Sequence, residues 1–278
     1  MAEATLTGSP YGPPALDDWT RAGAEEFLNK SGQGFPRGMR FVFYPTPEDL
    51  PQGLKKSGDL PGYPERVGRD LVFHLVEETL RGWPLPAVKG WIQRQAAAVR
   101  LKLELGPAPF NFHRQILPLF PVSGSAVAVI RQIVEQLNEA LEAFLTTRIL
   151  LDLGLVEAQR HFYAFRLKAP AGDPVLYREA LPHGWVRASI LGGRLQDFLA
   201  LSLLAGRCPA VGAALKRRWW QAHDFFIRED QALLEELAFS VLEAARKSYP
   251  ELLVGMFVRI RDALLGRRPS PAFSPTLH

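Results

Sequence analysis

A chain of 278 residues, 47% apolar and 22% charged, can bury one large core or two smaller ones, and this composition excludes a disordered chain or a coiled coil. Its net charge of +4 and pI near 9.3 suit weak contact with polyanions better than a dedicated nucleic-acid scaffold. Cys208, the single cysteine, excludes an intramolecular disulfide and a thiolate zinc cage, which fits a reducing compartment.

The first residues carry neither a basic n-region nor an apolar h-region. The stretch closest to a membrane span, 116–130, is short and holds Pro118 and Pro121. The expectation is a soluble, cytoplasmic protein without a membrane partner. Residues 1–63 are dense in proline and glycine and read as an N-terminal arm with a short helix over 16–30 and a strand over 39–44. Pro64, then Val67, Leu71 and Leu75 at four-residue spacing, with Gly82 and Pro84 beyond, predict a helix over 64–81. A second helix opens at Pro86 and ends near Ala98. The short link between them is what a helix-turn-helix pair requires. Residues 99–105 alternate apolar and charged with period two, a strand pattern stopped by Gly106 and Pro107.

Ile130, Val134, Leu137, Leu141 and Leu145 define an amphipathic helix, capped by Ser123 or Ser125, that runs to Gly154 or breaks at Thr146 and Thr147. Two β-rich runs, 162–168 and 175–181, flank a Pro/Gly-rich link and read as a hairpin. Beyond Gly192 and Gly193 the pattern is helical over 194–205, 211–228, 230–247 and 250–265. Ser248 and Glu251 form a capping-box pattern at the start of the last helix. The fold expected is helix-rich α+β, a small antiparallel sheet packed on helices with a C-terminal helical, bundle-like part. The divisions are an arm (1–63), a middle part (64–185), a helical subdomain (186–268) and a disordered tail (269–278).

Between Thr79 and Val134 there are seven Lys or Arg residues and one acid, Glu104. That asymmetry points to a surface that meets a polyanion. Lys89, Gln93 and Arg94 on the second helix, with Arg100 and Lys102 after it, are the residue types that contact phosphates and base edges. Arg166 and Lys168 would serve as phosphate contacts on the wing of a winged helix, although the preceding helix offers Glu135, Glu139 and Glu142 where DNA demands cations. Lys216, Arg217 and Arg218 beside Trp219, Trp220, Phe225 and Phe226 could stack on bases. The 4-3-4 spacing of Leu215, Trp219, Ala222 and Phe226 favours a core stripe instead.

No HExxH, GxSxG, Walker A or GxGxxG pattern occurs. His74 reads as a satisfied core histidine and Cys208 as a small buried hydrophobe. The leading expectation is a non-enzymatic binding or regulatory protein without cofactor or metal, its partner a nucleic acid or another polyanion, with a protein partner or self-association as further possibilities. The alternative is an enzyme or carrier whose small-molecule pocket lies between helices and uses His161, His223 or Asp224.

Overall fold

The computed structural model describes residues 14–32, 36–52, 62–106, 126–167, 172–244 and 248–265. The chain divides into two compact units. One comprises residues 1–106, 145–168 and 204–215, and the other 107–144, 169–203 and 216–278.

The first unit is organised by a strand that is buried on both faces. Residues 71–76 are all buried, as expected of a central strand covered on each side. This strand, β3 (Asp70–Val76), has β1 (Gly38–Tyr44) parallel on one side, Phe41 opposite Phe73, and β2 (Gly62–Val67) antiparallel on the other, Tyr63 opposite His74. A two-residue turn joins β2 to β3, with Gly68 at φ +65°, a conformation glycine adopts without steric cost. Phe41 stacks on Phe73, and Phe73 meets Trp91 edge-on, so this face of the sheet packs on α3 (Leu85–Leu105). On the opposite face Tyr63 and Val76 close a small cluster with Leu50, which follows a short 3-10 turn. The helix α1 (Pro14–Ser31) lies along α3. A single turn, α2 (Glu77–Leu80), follows β3.

The helix α4 (Ala126–Asp152) runs unbroken through Thr146 and Thr147, both buried. After Gly154 the chain turns into α5 (Val156–Arg166), which crosses α3 at Gly90. A β-carbon on Gly90 would lie 2.2 Å from the carbonyl oxygen of Ala158, so only glycine allows this approach.

There follow α6 (Asp173–Ala180), α7 (Gly184–Arg207), α8 (Pro209–Ala222), α9 (Arg228–Glu243) and α10 (Tyr249–Leu265), which belong to the second unit except for residues 204–215 at the end of α7 and the start of α8. Trp219, Phe198, Tyr177 and Phe226 are buried in contact with one another. Of the expected core stripe Leu215, Trp219 and Phe226 are buried, whereas Ala222 is half-buried and Phe226 lies beyond the end of α8. Ser248 opens α10, its backbone N–H donating to Glu251 Oε2 at 2.8 Å, the side-chain half of the capping-box pattern, and its hydroxyl donating to the same oxygen at 2.7 Å. Among the described residues α7 is the one helix long and apolar enough to cross a membrane, but 61% of its apolar window is buried, so that apolarity is used within the fold.

The helix-rich α+β class holds, with a sheet that is mixed because β1 runs parallel to β3. Three expected elements are corrected. Residues 64–81 are not a helix but parts of β2, the turn, β3 and α2, which removes the first half of the helix-turn-helix pair. Residues 99–105 are the last turns of α3 and not a strand. Arg, Leu, Lys and Glu are all good helix formers, and Leu103, which a strand face would bury, is exposed. The described part of the expected hairpin is helix as well: residues 162–166 close α5, where the adjacent Phe162 and Tyr163 are both buried, and the second run lies on α6 with Leu181 as its C-cap. No wing follows α4. Gly192 and Gly193 lie inside α7, opposite Gln136, and do not open a helix. Cys208 is partly exposed rather than buried. Ser123, Ser125, Arg114 and the tail 269–278 lie outside the described residues.

Candidate binding cleft

The tight α3–α5 crossing fixes the register of two helix faces. Gln159 Nε2 donates to the Gly90 carbonyl at 3.0 Å, sealing the contact with a buried hydrogen bond. Beside this crossing, α1 closes the third side of a cleft of about 250 Å³ lined by Trp19, Glu26, Lys89, Leu155, Glu157 and His161. Such a volume is below the roughly 300–1,000 Å³ typical of drug-sized sites.

Lys89 Nζ lies 2.8 Å from Glu26 Oε2, which also accepts from Gln93 Nε2 at 3.0 Å, while Lys30 Nζ lies 3.4 Å from Glu26 Oε1. Burial pushes the Glu26 carboxyl up, but the donors Lys89, Gln93 and Lys30 outweigh it and hold the group below the ordinary carboxylate value. Lys30 also donates to the Gly154 carbonyl, tying α1 to the turn that starts α5. On the other wall, Glu157 pairs with Arg160, and this bond is the main cause that keeps its carboxyl below the ordinary value. His161 Nε2 lies 3.2 Å from Glu157 Oε1. The cleft thus presents two carboxylates, an ammonium and an imidazole over apolar walls that include an indole.

Of the residues expected to meet a polyanion, Lys89 lines this cleft with its charge matched by Glu26, and Gln93 is buried on Glu26. Arg94 is buried between helices, donating from Nη1 to Thr147 Oγ1 at 3.1 Å and to the Tyr163 hydroxyl at 2.5 Å. Arg100 pairs with Glu104 at 2.7 Å and reaches the Ser31 carbonyl. Lys102 and Arg166 are exposed, Arg166 with its guanidinium 5.7 Å from the Phe162 ring centre. Lys168 lies outside the described residues. His161 belongs to the first unit, and His223 and Asp224 to the second. His223 is buried in a stack on Trp219, ring centres 4.1 Å apart, with Nδ1–H donating to the Trp219 carbonyl at 2.8 Å. Asp224 is exposed.

Sequence reasoning missed Glu26 and Trp19, which belong to the N-terminal arm. Nothing local marks them, because their partners come from α3 and α5. His74 is satisfied, on a strand rather than a helix: Tyr44 Oη is 2.9 Å from Nδ1 and Glu65 Oε2 is 3.0 Å from Nε2. Among the described residues no group of three His, Cys, Asp or Glu side chains converges as metal ligands. No protein-family model matches the chain, and neither a curated protein nor a solved structure matches it closely enough to carry an argument.

Proposed function

We propose that this chain is a non-enzymatic binding protein for a small polar molecule held in the cleft between α1, α3 and α5. The observation that supports this reading is the convergence of Lys89 and His161, residues from different helices, beside Trp19 in one concave site. Lys89 is matched by Glu26, and His161 sits by Glu157, so the cleft offers paired charges and not a bare basic surface. A neutral or zwitterionic ligand of amino-acid or nucleobase size, flat enough to lie on the indole, fits that balance better than a polyanion.

The reading is tested by saturation-transfer NMR of the full chain against free amino acids and neutral nucleobases. At least one should bind, and both Trp19→Ala and His161→Ala should weaken it at least tenfold with the fold retained by circular dichroism. Binding unaltered by both substitutions overturns the reading. Salt-steep binding of single-stranded nucleic acid that is lost in Lys102→Ala and Arg166→Ala would replace it with the polyanion reading.

A further inference from the structure

Arg94 is a buried cation with no anion paired to it among the described residues. It keeps 7% of its surface, while Thr147 and Tyr163, its two hydrogen-bond partners, keep none. The guanidinium also lies 5.7 Å from the Phe162 ring centre and 5.6 Å from that of Tyr163, where aromatic faces offset part of the lost hydration. No carboxylate among the described residues pairs with it. The carboxylates outside the described residues are those of Glu3, Asp59 and the chain terminus at His278. An arginine stays charged at any ordinary pH, and burying a charge that nothing neutralises is costly.

The geometry of the remaining donors is specific. Both contacts to the hydroxyls leave from Nη1. The opposite edge, Nε–H with one N–H of Nη2, has no acceptor among the described residues, and that edge is the fork that matches a carboxylate in two parallel hydrogen bonds. One monoanion would neutralise one guanidinium, whereas a phosphate dianion would leave a net negative charge at a side chain that keeps only 7% of its exposure. We infer that Arg94 is the receptor for the carboxylate of a small ligand, bound through its Nε/Nη2 edge and oriented by Thr147 and Tyr163, which hold the guanidinium plane from the other side. Arg94 does not line the cleft at Lys89, so this site stands independently of that reading.

The experiment uses the full chain with labelled arginine Nε–Hε groups, titrated by NMR with acetate at constant ionic strength, with chloride and inorganic phosphate as separate arms. One Nε–Hε resonance, assigned by its absence in Arg94→Met, should shift saturably with acetate and not with chloride. Tyr163→Phe, which keeps the cation but frees one side of Nη1, should weaken acetate binding about three- to tenfold. It also serves as the variant of record if Arg94→Met does not fold. A shift that merely follows ionic strength, tighter binding of phosphate than of acetate, or a Tyr163→Phe protein with parent affinity would each overturn the inference.

Discussion

Gly90 on α3 stands against the Ala158 carbonyl on α5 so closely that a methyl group on Gly90 would lie 2.2 Å from that oxygen and 2.9 Å from the carbonyl carbon. Because the obstructing atoms are helix backbone, they cannot swing aside, and the helices would have to separate. Alanine gains about 1 kcal/mol over glycine in helix propensity, against a typical overpacking cost of about 1–3 kcal/mol, and more where backbone must move. Gly90→Ala should therefore lower the urea midpoint and disturb the cleft beside it. Gly255→Ala on α10, where an added methyl meets nothing within 4 Å, should leave the midpoint equal or higher. A Gly90→Ala protein as stable as Gly255→Ala would show that the α3–α5 crossing is loose.

Asp230, 1% exposed, is held by Arg187 through two hydrogen bonds, one of them Nε to Oδ2 at 2.6 Å, and by the Tyr177 hydroxyl at 2.5 Å. Burial first, then the bond to Asp230, pushes the Tyr177 hydroxyl up to about 12. Removing one partner strands the other, so Asp230→Ala should cost about 3–5 kcal/mol in urea unfolding. Tyr177→Phe, which leaves the ion pair intact, should cost distinctly less. Equal losses would mean that the hydroxyl, not the pair, carries the interaction.

The elements legible in the sequence are those whose signals agree. Ser248, Pro250 and Glu251 mark the start of α10, and the row from Ile130 to Leu145 marks α4, because caps and a 3.6-residue period point the same way. Val67, Leu71 and Leu75 misled because a spacing of four is close to one helical turn and is also two full strand periods. The run from Leu71 to Val76, apolar at every position but His74, was the better signal, since a half-exposed helix would not be apolar nearly all round. The cleft was legible only in fragments: Lys89 and His161 stood out as residue types, but Glu26, which matches Lys89, comes from a segment that no local pattern joins to α3. Within the basic run, Gln93 is bound to Glu26 and Arg94 is buried against Thr147 and Tyr163, which residue type alone does not reveal.

His223 should act as an acid-sensitive weak point. Burial is the largest cause that lowers its pKa from the ordinary value near 6.5. The bond to the Trp219 carbonyl opposes that shift, Arg194 adds to it, and Asp173 and Asp197 pull the other way. A histidine whose folded pKa is depressed stabilises the fold above its unfolded pKa, and that contribution is lost as pH falls toward the folded value. The urea midpoint should thus decline below about pH 6.5, and His223→Phe, which keeps an aromatic ring on Trp219 but cannot titrate, should decline less. Parallel pH profiles of the two proteins would assign the acid sensitivity elsewhere.

Trp219 separates core from nucleic-acid stacking, because its ring is buried between Phe198 and His223, 4.7 and 4.1 Å away. A stacking platform has to be open to solvent. Trp219→Ala should cost about 3–5 kcal/mol through lost burial and a residual cavity. An unchanged melting temperature with loss of single-stranded nucleic-acid binding would place the ring at a surface.

Arg94→Met tests whether the buried cation is kept for stability. Methionine is unbranched and flexible enough to follow the path of the arginine stem between α3, α4 and α5, and it removes the cost of an unpaired charge. The Thr147 and Tyr163 hydroxyls lie 3.1 Å apart and continue to satisfy one another after the guanidinium is gone. Replacing buried charged groups by apolar residues of similar volume is often neutral or stabilising by about 1–4 kcal/mol, so the melting temperature without added carboxylate should be unchanged or higher. With acetate present the parent protein should gain stability and the variant should not, since only a ligand that binds the folded state shifts the equilibrium. A loss above about 2 kcal/mol in the absence of any anion, judged against the usual stability of a domain, would make Arg94 a structural tie whose two hydroxyl bonds outweigh its desolvation.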